Sequence, residues 1–322
     1  MKLALSTNWC NRTLATGEEI ADKALSLGFD ELELGYRTDG SQVEGFRRRL
    51  EVMPVGSVHA FCPVPVSAPE GYPELYSLAS FDAEARKLAS LHIRRNIEFA
   101  SDLGAETVVL HAGRVSFSPF FSHLDSASLK AVLLAAGGDI RNRRYMKALS
   151  LANSVRQRRG RKMLDLFCRE LEELLAVLDR NSVTLALENL PYLEGFPDEA
   201  EMAAVVSRFR GARVKAWFDT GHDRVREMHG WTAKFSARTG LEAGDIAGMH
   251  LNDVVDFNDD HLCPSFGKVD FGAFRELAGS VRHVVFEPSR HESEARLARA
   301  VEHIRKLWGP SPCPEIAGSR IV

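Results

Sequence analysis

Five histidines and four carboxylates stand at or just past the ends of β-rich hydrophobic runs, and imidazole and carboxylate are the ligands that divalent metal ions select. VGSVHA carries His59, TVVLHAG carries His111, VTLALEN carries Glu188, and VKAWFDTGH carries Asp219 and His222. IAGMHLND carries His250, HVVFEPS carries Glu287, and the loop segment FNDDH adds Asp259 and His261. A carboxylate closing an apolar run is costly to bury unpaired, so Glu188 and Glu287 are the strongest of these signals. Asp219 and His222, three apart across Thr-Gly, aim into one region from a turn, onto one ion or onto two. Glu188, Asp219, His250 and Glu287 together make a four-ligand site with room for water or substrate. The number of ions divides the chemistry. One ion chelating two sugar oxygens suits a proton shift through an enediol, with Glu188 and Glu287 as the acid/base pair. Two or three ions suit phosphoester hydrolysis, with metal-bound hydroxide as the nucleophile. Arg114, just after His111, offers a bidentate fork for phosphate oxygens.

Residues spread from 59 to 287 meet only in a fold that collects the ends of many strands. Short runs at 3–6, 31–35, 55–59, 107–111, 183–188, 214–218, 246–251 and 283–287 read as strands. Apolar residues three and four apart predict helices over 81–103, 163–178, 199–209 and 292–307. Gly28, Gly104 and Gly211 fall where a helix must stop before the next strand. The alternation is α/β, and eight strands close a (β/α)8 TIM barrel whose C-terminal strand ends surround one cavity. An open doubly wound sheet is the rival; ligands at so many strand ends favour closure. Residues 1–308 read as the metal-dependent catalytic barrel and 309–322 as a flexible tail. Residues 60–80 are Pro-rich and predict a loop over the mouth. Residues 114–160 read as a helical insertion after strand four; Arg141 to Lys162 holds nine cationic residues and no acid.

The 322 residues are 45% hydrophobic and 26% charged, as expected of a globular chain with a sizeable core. A formal net charge of −3 gives no overall pull toward nucleic acid or membrane, and no apolar run reaches the ~20 residues of a membrane helix. Cys10, Cys62, Cys168, Cys263 and Cys313 form no Cys-x-x-Cys pair, which fits buried thiols in a reducing, cytoplasmic setting. The start of the chain is too short in apolar residues for a signal peptide.

The strand-end ligands and the DTGH, HLND and DDH segments resemble the xylose-isomerase-like TIM-barrel superfamily, which holds sugar (phosphate) isomerases and epimerases and the endonuclease IV-type AP endonucleases. The likeness covers residues 1–308 apart from the insertion. It implies the single-metal quartet Glu188, Asp219, His250 and Glu287 of the isomerases. It also implies the nine-ligand, three-zinc arrangement of the endonuclease branch: His59, His111 and bridging Glu188; then the quartet; then His222, Asp259 and His261. The following loop, CPSFGKVDF, has Ser265-Phe266 where Gly-Glu is common in the family. Isomerase relatives often carry a substrate-binding Arg shortly after the seventh-strand His, and LNDVVDFNDD has none. DTGH, HLND, DDH and the Phe-Pro start of helix five are also similar to the superfamily's cobamide-remodelling phosphodiesterases. The expected cofactors are one to three divalent ions per chain, zinc first, with manganese, magnesium, cobalt or iron as alternatives. The expected function is multinuclear hydrolysis of a small phosphorylated substrate held by Arg114 or the insertion's arginines. The alternative is a single-metal sugar or sugar-phosphate isomerase/epimerase. A binding barrel without catalysis fits the intact ligand set poorly. Nucleic acid is disfavoured, because Tyr145 is the one aromatic within the basic run, and the oligomeric state is open. Trp9, Phe61 and Phe117 are candidate pocket walls, Asn8 and Asn189 candidate substrate donors. Glu33 is read as a structural salt bridge or a group facing the mouth. His92, His123, His229, His283, His291 and His303 are expected to pack or face solvent.

Overall fold

The computed structural model describes residues 1–117, 119–232 and 241–309. Eight parallel strands form the barrel: β1 (Ala4–Ser6), β2 (Glu31–Leu34), β3 (Val55–His59), β4 (Thr107–Leu110), β5 (Thr184–Glu188), β6 (Val214–Asp219), β7 (Ile246–Leu251) and β8 (His283–Phe286). Each pairs with its sequence neighbour, and β1 also pairs with β8, Ala4 opposite Val285, which closes the sheet. All eight expected strands are present within a residue or two of their predicted ends.

Residues two apart on a strand share a face, and that rule carries the site. Ala4, Val109, Ala186, Trp217, Ala247 and Val285 pack together as a cluster inside the barrel. Two residues on from four of them stand His111, Glu188, Asp219 and Glu287. The interior layer therefore dictates that these side chains also point inward, one layer nearer the mouth. The small alanines leave room for the Trp217 indole, which forms the floor, its ring centroid 5.0 Å from that of His250. Residues on the other face, such as Leu32, Val58, Leu110, Leu187 and Phe286, join the larger core with Ile20, Ile97, Leu171 and Ile304 of the surrounding helices. Each such side chain contributes roughly 1.5–3 kcal/mol when removed from water.

The helices begin where short polar side chains satisfy free backbone N–H groups. Thr16 and Glu19 make a capping box for Gly17–Ser26, and Asp198 and Glu201 make one for Glu199–Arg208. Asp82 caps Ala83–Asp102, and Ser293 caps Glu294–Trp308. Gly28, Gly104 and Gly211 all take positive φ, as a helix stop requires.

The structure redraws the expected insertion. No helix boundary falls at 160; one helix runs from Arg143 to Glu172, and Leu175–Asn181 follows as a separate short helix. The insertion adds a 3-10 segment, Pro119–Leu124, and a helix, Ser126–Ala135, whose Leu124, Leu129 and Leu133 pack on Tyr145, Ala152 and Leu193. The basic run is partly consumed by packing. Arg156 is buried, donating to both Glu201 oxygens and to the Gly195 carbonyl at 2.7 Å each, with Asp198 also 2.7 Å away. Arg159 donates to Ser116 Oγ and stacks on Phe81. Cys10, Cys62, Cys168 and Cys263 are buried free thiols; Cys313 and the expected tail beyond residue 309 lie outside the described residues. Among the described residues no helix is long and apolar enough to cross a membrane.

Gly160 sits one turn beyond Arg156, and a Cβ there would lie 2.2 Å from Glu201 Oε1 and 2.9 Å from Arg156 Nη1. Both neighbours are locked in the buried ion cluster. Gly160→Ala is therefore expected to destabilise by about 1–3 kcal/mol despite alanine's better helix propensity. Thermal unfolding followed by circular dichroism checks it, and a raised melting temperature would contradict the close approach.

Candidate metal centre

Strand ends β3 to β8, the helix Thr220–Met228 that starts directly after β6, and the loop after β7 bring the nine expected ligands together. Three sets have ligand atoms mutually within 4.8 Å: His59, His111 and Glu188; Glu188, Asp219, His250 and Glu287; and His222, Asp259 and His261. Glu188 belongs to two of them. Its Oε2 lies 3.2 Å from His59 Nε2 and 3.1 Å from His111 Nε2, while Oε1 lies 3.1 Å from His250 Nδ1. Glu287 Oε2 is 3.2 Å from the same His250 nitrogen. Asp259 Oδ2 stands between His222 Nε2 at 3.3 Å and His261 Nε2 at 3.2 Å. The open question over the Asp219–His222 pair is answered by this arrangement: the two side chains fall in different sets.

A ligand is useful when its other atoms are spoken for, and for most of the nine they are, His111 Nδ1 and Asp259 Oδ1 being the exceptions. The Nδ1 atoms of His59, His222 and His261 lie 2.8–2.9 Å from the carbonyls of Ala60, Asn189 and Glu287. Donation to those carbonyls fixes the tautomer that leaves each Nε2 a lone pair. His250 is turned the other way round. Its Nε2 lies 3.1 Å from both oxygens of Glu33, which also accepts from Ser57 Oγ at 2.9 Å, so Nδ1 faces the quartet. Asn252 Nδ2 donates to Asp219 Oδ2 at 2.6 Å, and Asn8 Nδ2 donates to Glu287 Oε1 at 3.2 Å. Gly221 of the DTGH segment permits the first of these contacts, because a Cβ there would lie 1.7 Å from Asn252 Oδ1.

Glu188, Asp219 and His250 are fully buried, and Glu287 is nearly so. Burial alone would raise the Glu188 carboxyl, but His250 and His111 outweigh it and hold it well below the usual range. Burial would lower the imidazoles, yet carboxylates push His111 up to about 9, chiefly Glu188, and His222 up to about 10, chiefly Asp219. Burial, reinforced by Glu188 and opposed by the imidazoles, raises Asp219 to about 6. The pocket thus favours positive charge at the imidazole positions. Divalent cations would supply it in place of protons. The donor set fits them: nitrogen and oxygen atoms only, three or four to a set, with oriented outer partners.

Other expectations meet different placements. Arg114 Nε donates to Glu74 Oε2 at 2.6 Å, and its guanidinium lies 3.5 Å over the Tyr192 ring, half-buried at the wall. Asn189 holds Asp219 in place by accepting from its N–H at 2.7 Å and donating to its carbonyl. Trp9 is committed to the Glu292 carbonyl and Phe61 to Tyr76 and His92, so neither lines the cavity at the ligands. Phe117 packs in the insertion's cluster. The walls are instead Tyr36, Tyr72, Pro73, Glu74, Pro191 and Tyr192. Tyr72 to Glu74 come from the Pro-rich loop, as its position over the mouth predicts. Nothing in the hydropathy pattern marks the others. Glu33, read from the sequence as a structural salt bridge or a group facing the mouth, lies on β2 against His250.

Glu33→Gln would weaken the hold on His250 Nε2 and is expected to lower metal affinity about 10–100-fold. Competition against a chromophoric chelator measures this; unchanged affinity would remove Glu33 from the metal's support.

The family model described as xylose isomerase-like TIM barrel matches residues 21–307. A putative xylose isomerase from Rhodospirillum rubrum superposes with a TM-score of 0.67 at 17% identity, covering 97% of this chain and 100% of that one. A D-tagatose 3-epimerase-like protein gives 0.64 at 18% identity over 95% and 97% of the two chains. The IOLI protein, solved with a zinc atom, gives 0.62 at 13% identity over 96% and 98%. None of the curated proteins matches the chain. Likeness at these identities is likeness of fold, and the match of the family model over most of the sequence adds the lineage: the chain belongs to the xylose isomerase-like TIM-barrel family.

Proposed function

We propose that the chain is a metal-dependent enzyme that holds up to three divalent ions, zinc first among the candidates, and hydrolyses a small phosphodiester. The observation that carries this reading is one cavity of about 210 Å³ that touches His59 and His111, Glu287, and His222, Asp259 and His261, members of all three ligand sets. Glu188 supports it further. An acid/base carboxylate needs a free oxygen facing a substrate C–H, yet Glu188 Oε2 is enclosed by two imidazoles and Oε1 by a third. That is the position of a bridge between two sites. Bound ions would supply Lewis-acid charge for the phosphoryl and leaving oxygens and acidify a water near neutral pH. The chain's own groups do the rest. Asn8 and Asn252 hold Glu287 and Asp219 in one orientation each. Tyr36, Tyr72 and Tyr192 narrow the cavity and exclude bulk water, which strengthens every charge interaction inside. Arg114 pins Glu74, whose Oε1 lies 3.8 Å from His111 Nδ1, so this arginine stiffens the wall beside the first set. The cavity's size suits a small molecule over a nucleic-acid duplex.

A second reading is a sugar or sugar-phosphate isomerase or epimerase using one ion at the quartet, with Glu188 and Glu287 as the acid/base pair. The comparisons favour it over hydrolysis, since the similar solved structures include a D-tagatose 3-epimerase-like protein and an L-ribulose 3-epimerase. The enclosure of Glu188 favours the first reading.

Elemental analysis of protein purified without chelator, paired with turnover of bis-p-nitrophenyl phosphate, separates the two. About three ions per chain and measurable turnover are expected; one ion and no turnover would transfer the assignment to the isomerase. His261→Ala should remove about one ion and cost at least ~10²-fold in turnover, whereas a quartet-only isomerase would keep much of its activity. Stripping the ions should also lower the melting temperature. An ion bound only by the folded chain adds about 4 kcal/mol at ~1,000 times its Kd. An unchanged melt after chelation would argue against ions in this buried pocket.

A further inference from the structure

Three loops on the C-terminal face carry arginines the ligand chemistry does not use: Arg12 after β1, Arg37 after β2 and Arg290 after β8. These strands are neighbours in the closed sheet. Their loops therefore converge, and all three arginines line one cleft of about 500 Å³. The cleft shares Tyr36, Asp259, His261 and Glu287 with the cavity at the ligands, so it opens directly beside the second and third sets.

The charges in the cleft are unevenly matched. Arg12 is paired at the rim with Glu70 at 2.8 Å. Asp259 and Glu287 belong to the ligand sets, and Asp260 accepts from the Val255 N–H. Arg37 makes no side-chain hydrogen bond or ion pair among the described residues; its guanidinium lies 5.2 Å from the Tyr36 ring centroid. Its backbone N–H is tied to Asn8 Oδ1, which fixes the base of the side chain to the residue that orients Glu287. Among the described residues Arg290 has the His291 ring as its one side-chain partner, Nε to Nε2 at 3.4 Å. Two guanidinium groups thus face a cleft with no carboxylate assigned to them. A planar guanidinium recognises tetrahedral oxyanions through paired N–H donors.

We propose that Arg37 and Arg290, with Arg12 and His291 at the rim, form an anion subsite for a phosphate-type group of the substrate, beside the reacting phosphodiester. This rests on the reading of the substrate as phosphorylated. It moves the phosphate-holding role from the insertion's arginines to loops on the opposite side of the mouth. The substrate class is narrowed accordingly, to molecules with a second anionic group next to the ester.

Isothermal titration of the metal-loaded protein with inorganic phosphate tests it, comparing wild type with Arg37→Gln/Arg290→Gln. The ions take phosphate too, so two binding events are expected in the wild type. The double variant should lose one of them, or weaken it at least ~10-fold, at unchanged metal content. An identical isotherm in the two proteins overturns the subsite. If the double variant does not retain its metal and melting temperature, the single variants are read in the same way. Turnover of bis-p-nitrophenyl phosphate by the wild type keeps the two ideas apart. No turnover with phosphate binding lost in the variant supports the subsite and fails the hydrolase reading alone; turnover with an unchanged isotherm fails the subsite alone.

Discussion

Glu188 is a fully buried carboxylate at the centre of four imidazoles: His59, His111 and His250 at 3.1–3.2 Å and His222 at 3.4 Å. A lone charge buried in this way would cost several kcal/mol, so the surroundings must answer it with opposite charge and directed donors. That demand organises the mouth of the barrel. It draws in histidines from the ends of β3, β4 and β7 and from the helix Thr220–Met228 that follows β6. It also explains why the groups behind them are polar where a barrel interior would ordinarily be aliphatic.

The support is layered. Trp217 and the alanines around it make an apolar floor. Above them β3 to β8 each present one candidate ligand, and behind most of the nine a carbonyl, amide or carboxylate sets the direction. Glu33 performs this for His250 from the far side of the barrel, across 217 positions of sequence. Gly221 and Asn252 perform it for Asp219, one by lacking a side chain and the other by filling the space. Sites held this way on strand ends lose little entropy when ligand arrives, because the geometry already exists.

The basic residues divide into two populations that composition treats alike. Arg156, in the helix that crosses the insertion, is consumed by Asp198 and Glu201 and fastens Arg143–Glu172 to Glu199–Arg208. Arg37 and Arg290, isolated in the sequence, stand together in space beside the ligands. A dense run of cations thus serves packing in part, while scattered ones converge on the cleft. Loops on the C-terminal face of a barrel vary freely in such residues while the strands stay fixed, which is how one scaffold serves many substrates.

The strands, the barrel and the strand-end positions of the nine candidate ligands were all legible in the chain alone. Each depends on local rules: β-rich runs of four to six residues, glycines that stop helices, and inward direction repeating every second residue up to His111, Glu188, Asp219 and Glu287. Spacing alone left the partition of those residues open; the family resemblance implied three sets, and the strand ends bring the same three together. Asp219 and His222 are three apart, yet they enter different sets, because Asn252 and Asn189 pull one toward the quartet and the other toward Asp259. Nor did spacing reveal that Glu33 backs His250, that Tyr36, Tyr72 and Tyr192 wall the cavity, or that the helix continues through Gly160. Periodicity tells a side chain which face to take. Only closure of the barrel decides which distant side chain it will meet there, because that is fixed by the register of eight strands at once.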